Sequence, residues 1–318
     1  MGDVTSARPV ADSKLLSLLS QPLLSLEVAA QAATSVFNSS EEAKMLIVGE
    51  RINTSRKVKG EPVIEIAVKN HDADFIKNLA QMQFQAGATY IDVNAGTLTS
   101  GEPEALEWLT QIVQESVDAP ISFDTPNPEA LDRALKVYDI SKGQPMINSI
   151  TAESERYAKI LPFVLEHKAK IIALAMDDTG IQQDPEKRLS VARNLVQKLI
   201  SDGVALDDIY VDPLTFPIGT GSDVAVSMLD IIEKLMAEFP GVHTIAGLSN
   251  ISHGMPARKI LNQTMTILAM GKGMDAGIID PNDRYLMALI ASAEALLGRD
   301  DYCMNYITLS REGAFEGL

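Results

Sequence analysis

Cysteine is almost absent from this chain: Cys303 stands alone among 318 residues. One thiol excludes an internal disulfide framework and any zinc or iron–sulfur site built from several thiolates. That usage fits a reducing, cytoplasmic setting. Basic residues are also scarce, with 27 Lys and Arg against 43 Asp and Glu, a net charge of -16. Such a surface repels phosphate backbones and anionic lipids, so neither nucleic acid nor a membrane is an expected partner. No apolar run approaches the ~20 uninterrupted residues that a membrane-spanning helix needs. The apolar patch Leu15 to Leu26 is broken by Ser and Gln, and no basic cluster leads into a small-residue cleavage site. Residues 1–44 therefore read as a helical or partly disordered extension, not a targeting signal.

From Met45 onward the pattern is regular. Short β-rich runs occur at 45–50, 89–94, 120–124, 145–149, 170–176, 208–212, 243–249 and 275–280. They are nearly continuous apolar stretches, as strands covered on both faces are. Helical patterns lie between them, near 70–86, 102–117, 153–167, 222–239 and 256–271, several with start signals. Asn127-Pro128-Glu129 and Asp184-Pro185-Glu186 each set a cap, a first-turn proline and an acid before an apolar stripe. Gly203 is a plausible stop, and Asn282 is expected to cap the last helix, which carries Leu286, Leu289 and Ile290. A glycine-rich phosphate turn after the first strand is missing, which disfavours a doubly wound sheet. The expectation is an α/β chain with one domain over 45–318, a (β/α)8 TIM barrel behind an N-terminal extension.

The apolar runs end in acids and carboxamides: Glu50 and Asn53, Asp92 and Asn94, Asp124, Asn148, Asp177 and Asp178, Asp212, Asn250, and Asp280. Turn chemistry explains any one of them. In a barrel, however, these positions converge on the C-terminal mouth, where active sites are built. Carboxylates and amide oxygens accept hydrogen bonds, so the fitting ligand presents several N–H donors in one plane, as a 2-amino-4-oxo pyrimidine edge does. A divalent metal is the competing reading of clustered acids. No histidine partners them and the asparagines dilute the charge, so no metal site is expected.

Gly49-Glu50-Arg51-Ile52-Asn53, Asp92-Val93-Asn94-Ala95-Gly96, Phe123-Asp124-Thr125, Met146-Ile147-Asn148-Ser149, Tyr210-Val211-Asp212-Pro213-Leu214 and Gly247-Leu248-Ser249-Asn250-Ile251-Ser252 follow one another in that order. Over roughly residues 45–310 the chain thereby resembles the methyltetrahydrofolate:corrinoid protein methyltransferases, barrels related to the folate module of cobalamin-dependent methionine synthase. The resemblance implies transfer of a methyl group between N5 of tetrahydrofolate and the cobalt of a corrinoid. It aligns Asp124, Asn148 and Asp212 with the pterin edge, and Asn250 with the residue that reaches N5 and serves catalysis. Glu50, Asn53, Asp92, Asn94, Arg258 and Asn262 fall at supporting positions around the mouth. It also implies a homodimer.

None of the four histidines sits in an Asp-x-His-x-x-Gly corrinoid signature. The corrinoid is therefore expected on a separate partner protein, with folate as a small-molecule substrate. Cys303 reads as a small packing residue, His253 as a loop or capping histidine, and Met270, Met274, Met287 and Met304 as core filling. Both directions of transfer use the same contacts. Rival readings are a dihydropteroate synthase-like pterin enzyme, which would want basic residues after the seventh and eighth strands, and a non-catalytic folate-binding module.

Overall fold

The computed structural model describes residues 44–318. The apolar patch at 15–26, and all but the last residue of the expected extension, lie outside the described residues. Eight parallel strands form the wall: β1 (Leu46–Asn53), β2 (Tyr90–Asn94), β3 (Ile121–Asp124), β4 (Met146–Thr151), β5 (Lys170–Leu174), β6 (Ile209–Asp212), β7 (His243–Thr244) and β8 (Ala276–Ile279). Their order around the sheet is β8-β1-β2-β3-β4-β5-β6-β7. The ring closes through a single bridge between Gly247 and Ile278, where the Ile278 N–H donates to Ala246 O at 3.0 Å.

The helices α1 (Val63–Lys69) and α2 (Ala73–Gln85) follow β1. One helix then follows each later strand: α3 (Glu102–Ser116), α4 (Pro128–Val137), α5 (Ser154–His167), α6 (Pro185–Ser201), α7 (Val224–Glu238), α8 (Arg258–Gly271) and α9 (Arg284–Leu296). A short α10 (Met304–Arg311) ends the chain. This is the expected (β/α)8 barrel. The caps explain several boundaries: Asn127 accepts from Glu129 N at 3.0 Å and Asp184 from Lys187 N at 2.9 Å. Gly203, at φ +98°, turns the chain after α6 in a backbone region that glycine enters without strain.

Side chains alternate across a strand, and this alternation layers the barrel. Val48, Tyr90, Met146, Ile172, Tyr210, Ile245 and Ala276 form one buried cluster contributed by six strands and the residue just past β7. Two residues further along four of those strands, on the same face, come Glu50, Asp92, Asn148 and Asp212. An apolar floor thus carries a polar layer above it. A larger core between strands and helices, including Phe123, Leu106, Leu109 and Ile171, holds the outer ring in place. At the opposite, N-terminal end His243 sits between Asp275 (2.6 Å) and Asp207 (3.2 Å) and stacks on Tyr210.

Several expectations need correction. Asp283, not Asn282, caps α9, accepting from Leu286 N at 3.3 Å, and α9 is not the last helix. Leu289 of that helix is exposed, because its apolar stripe is narrower than the periodicity suggests. The seventh strand shrinks to two residues, since 248–252 coil into a tight turn. The fifth ends at Leu174, and Asp177 belongs to a small hairpin pairing Met176–Asp177 with Gly180–Ile181. Met270 and Met274 are fully buried, whereas Met304 is exposed. Cys303 is exposed as well, so it is not a packing residue.

Candidate active site

Strand ends bring Glu50, Asn53, Asp92, Asp124, Asn148, Asp212 and Asn250 into the lining of one cavity of about 360 Å³ at the barrel mouth. Ser55, Arg56, Gly247, Ser249 and Ile278 complete that lining. Asn94 does not line it, but its Nδ2 donates to Asp124 Oδ2 at 2.9 Å from the next strand. Asp92 is the deepest acid, and it accepts from Ser122 Oγ at 2.8 Å. Asp212 accepts from Leu214 N, also at 2.8 Å. Among the described residues nothing donates to Asp124 Oδ1 or Asp212 Oδ2. The register of β4 shifts between Asn148 and Ile150, an irregularity of the kind that re-aims a side chain at a site.

The turn after β3 is anchored from below. Buried Glu102, at the start of α3, accepts from Thr125 Oγ1 and, at 3.3 Å, from Asn127 Nδ2. Those contacts fix the backbone immediately beyond Asp124. Asn53 accepts from the Ser55 backbone N–H at 2.9 Å, so its oxygen shapes the turn after β1.

Burial shapes the electrostatics. It pushes Asp212 up to about 7, only partly opposed by the Leu214 N–H. Asp92 is raised well above the ordinary range, first by burial and then by the charge of Asp124, against the Ser122 hydrogen bond. Asp124 is raised by burial despite the Asn94 donor and the nearby Arg156 guanidinium. Glu50 is raised by burial, with Arg56 pulling the other way. The cavity is a set of acceptors whose carboxyls burial favours in the protonated form, Asp212 near neutral pH, as suits proton movement.

Two expected mouth residues sit apart from that lining. Arg258 is exposed; its Nη2 donates to Ser249 O at 2.8 Å and its Nε to Ser252 Oγ at 3.0 Å, so it braces the turn that presents Asn250. Asn262 lies one turn further along α8, half-buried, with its Oδ1 unpartnered among the described residues. Asn250 itself is exposed on the tight turn after β7. Ser55, Arg56 and Ser249 were not foreseen in the lining. Their proximity in sequence to Asn53 and Asn250 was the available signal. Among the described residues, no three His, Cys, Asp or Glu side chains gather as a metal-holding group.

The sequence pattern of the pterin binding enzymes matches residues 60–280. A methylcorrinoid:tetrahydrofolate methyltransferase from Eubacterium limosum is 34% identical over 271 residues, covering 85% of this chain and 97% of that protein. The chain belongs to the pterin binding enzyme family. It is also 28% identical over 251 residues to methionine synthase of Mycobacterium tuberculosis, of which it spans only 20%. A solved dihydropteroate synthase from Thermus thermophilus superposes with a TM-score of 0.58 at 18% identity, covering 80% of this chain and 94% of that one. At that identity the likeness speaks for the fold alone.

Proposed function

We propose that this pterin binding barrel is a methyltransferase that moves a methyl group between the cobalt of a corrinoid, carried on a separate protein, and N5 of tetrahydrofolate. The observation that carries the reading is the cavity of acceptors at the strand ends, in a chain that matches nearly the whole length of a methylcorrinoid:tetrahydrofolate methyltransferase. In this reading Asp124, Asn148 and Asp212 accept from the amino group and ring N–H of the pterin, each charge-assisted bond contributing about 1.5–3 kcal/mol. Asn250, on the turn after β7 beside β6, faces N5. Glu50, Asn53, Asp92 and Asn94 hold or polarise these groups, and Arg258 and Asn262 support the turn that carries Asn250.

Following the name of the E. limosum relative, methylcorrinoid is the donor. The N5 lone pair attacks the methyl carbon, and the cobalt–carbon bond breaks with both electrons left on cobalt as Co(I). The N5 proton then departs. Asn250 cannot take that proton, but its amide orients N5 and accepts from the charged N–H as positive charge develops. Water passes the proton to the acidic layer, where Glu50, raised by burial and not engaged by the pterin edge in this reading, is placed to receive it. In the reverse direction the same groups return a proton to N5, so that a neutral amine leaves.

Location and assembly belong to the same proposal. The lone cysteine suits a cytoplasmic protein, and exposed Leu296, Tyr302 and Met304 near the C-terminus suit a homodimer.

The test is to mix the protein with 5-methyltetrahydrofolate and Co(I) cobalamin and follow the Co(I) absorbance. Its rapid conversion to the methyl–Co(III) spectrum is expected. Binding without conversion would make the chain a non-catalytic folate module, and absence of binding would end the folate reading. No dihydropteroate is expected from a pterin diphosphate and p-aminobenzoate. The turn after β7 offers Ser249 and Asn250 to the cavity, while Arg258 is engaged with the turn itself.

A further inference from the structure

The mouth has a chemical polarity that pterin recognition leaves unused. The acceptors Asp124, Asn148 and Asp212 stand on β3, β4 and β6. Across the ring from them are β8 and β1. In a folate, the substituent on C6 points away from the aminopyrimidine edge. A pterin held by those acceptors therefore sends its p-aminobenzoyl-glutamate tail out over β8 and β1.

The chain just past β1 is basic, in a molecule of net charge -16, whereas β8 runs out on Asp280. Arg51, Arg56, Lys57 and Lys59 lie within nine positions of one another. Arg56 lines the cavity and is partly neutralised, with Nη2 at 3.2 Å from Asp280 and Nη1 at 3.8 Å from Glu50; Arg51 lies 3.7 Å from Asp280. Lys57 and Lys59 are exposed and form no ion pair among the described residues. The nearby acids are Glu61, at the foot of the same turn, and Glu65, already paired with Lys69.

These lysines are not on a loose strand of chain. Val58 and Glu61 exchange backbone hydrogen bonds of 2.9 and 3.1 Å, making a tight hairpin with Lys59 and Gly60 at its tip. Both tip residues have positive φ, +52° and +90°. Turns of this kind favour Asn or Asp ahead of glycine, so a lysine occupies a position where backbone preference alone would not put it.

We propose that this basic hairpin, Arg56 to Gly60, is the subsite for the carboxylates of the folate glutamate tail. The inference rests on the reading of the cavity as a folate site. Arg56, at the cavity edge, lies along the p-aminobenzoyl segment, and Lys57 and Lys59 meet the carboxylates beyond it. Flexible lysine point charges suit a tail of variable length better than a fixed arginine fork does. Each added glutamate brings one more carboxylate to an otherwise repelling surface, so the subsite selects folates carrying several glutamates.

The experiment compares three probes by calorimetry: 6-methyltetrahydropterin, which has no tail, 5-methyltetrahydrofolate with one glutamate, and its triglutamate form. The unaltered protein should bind the triglutamate about fivefold more tightly than the monoglutamate, as one or two exposed ion pairs allow. Salt should erase that gain. A Lys57→Ser/Lys59→Asn variant, which keeps a turn-forming residue at the tip, should lose the preference while its affinity for the tail-less pterin stays unchanged. Equal binding of both folates by the unaltered protein, or a preference that survives in the variant, overturns the proposal. So does slower transfer from a methylcorrinoid protein with all three affinities intact, since the hairpin would then serve the protein partner. If the tail-less pterin does not bind at all, the folate reading of the cavity falls first and the subsite with it.

Discussion

The proposed function gives Asp124 a part in binding and Asn250 a part in chemistry, and single substitutions separate the two. Asp124→Asn replaces an acceptor by a group that must also place two donors, and it should weaken 5-methyltetrahydrofolate binding about 10- to 100-fold. Unchanged affinity in a binding titration would remove Asp124 from the pterin edge. Asn250→Ala should instead lower kcat about 100-fold or more with a much smaller change in binding, the signature of a contact that strengthens in the transition state. Equal losses in both would contradict that role. Asp212 adds a pH signature. Because its carboxyl is raised to about 7 and the pterin donors need a carboxylate, binding below about pH 7 should release a proton. Calorimetry in buffers of different ionisation enthalpy would show this, and Asp212→Asn should remove the part of the release that titrates near 7. The strand-end acids were legible because acids after apolar runs need an explanation. The Asn94 bond to Asp124 and the Ser122 bond to Asp92 were not, since register between neighbouring strands cannot be read from one chain of letters.

Among the elements, those with complete local signals matched well. Asn127 and Asp184 cap their helices because side-chain acceptor, proline and acid stand together. α1 escaped notice because Pro62 precedes it with no side-chain cap bond, and it is only seven residues long. The hairpin at 176–181 was absorbed into the fifth strand, since its first residues continue the apolar run. The β3–α4 turn is held by a contact that no local pattern announces: Thr125 to Glu102, across 23 positions. Thr125→Val should cost about 1–3 kcal/mol, because a buried carboxylate loses its donor. It should also weaken folate binding through Asp124, and a variant as stable and as tight as the parent would show that the anchor is dispensable.

For the whole molecule, the polar layer trades stability for function. Glu50, Asp92, Asp124 and Asp212 are all raised above the values they have in an unfolded chain. Their contribution is therefore favourable at acid pH and is lost as pH rises through their folded values. His243 follows the same direction higher up. Burial alone would depress it, but Asp207 and Asp275 outweigh burial and lift it to about 9, so its contribution fades as pH climbs to that value. Exposed acids with lowered values, such as Asp139 and Glu104, weaken the fold only below about pH 4. The urea midpoint of the ligand-free protein should consequently fall from about pH 5 to about pH 8. A flat or rising profile would contradict the burial of these groups.

The closure of the ring carries a mechanical consequence. Seven of the eight joints between adjacent strands are ladders, and the eighth is the lone pairing of Gly247 with Ile278. A stave held by one nail loosens before its neighbours do. Amide deuteration should begin along 245–252 and 276–279 while the remaining wall stays protected, and an occupied cavity should slow it, since Gly247, Asn250 and Ile278 all line that cavity. The part of the wall beside Asn250 is thus the part with most freedom to give way when, as proposed, a bulky protein-borne substrate settles on the mouth.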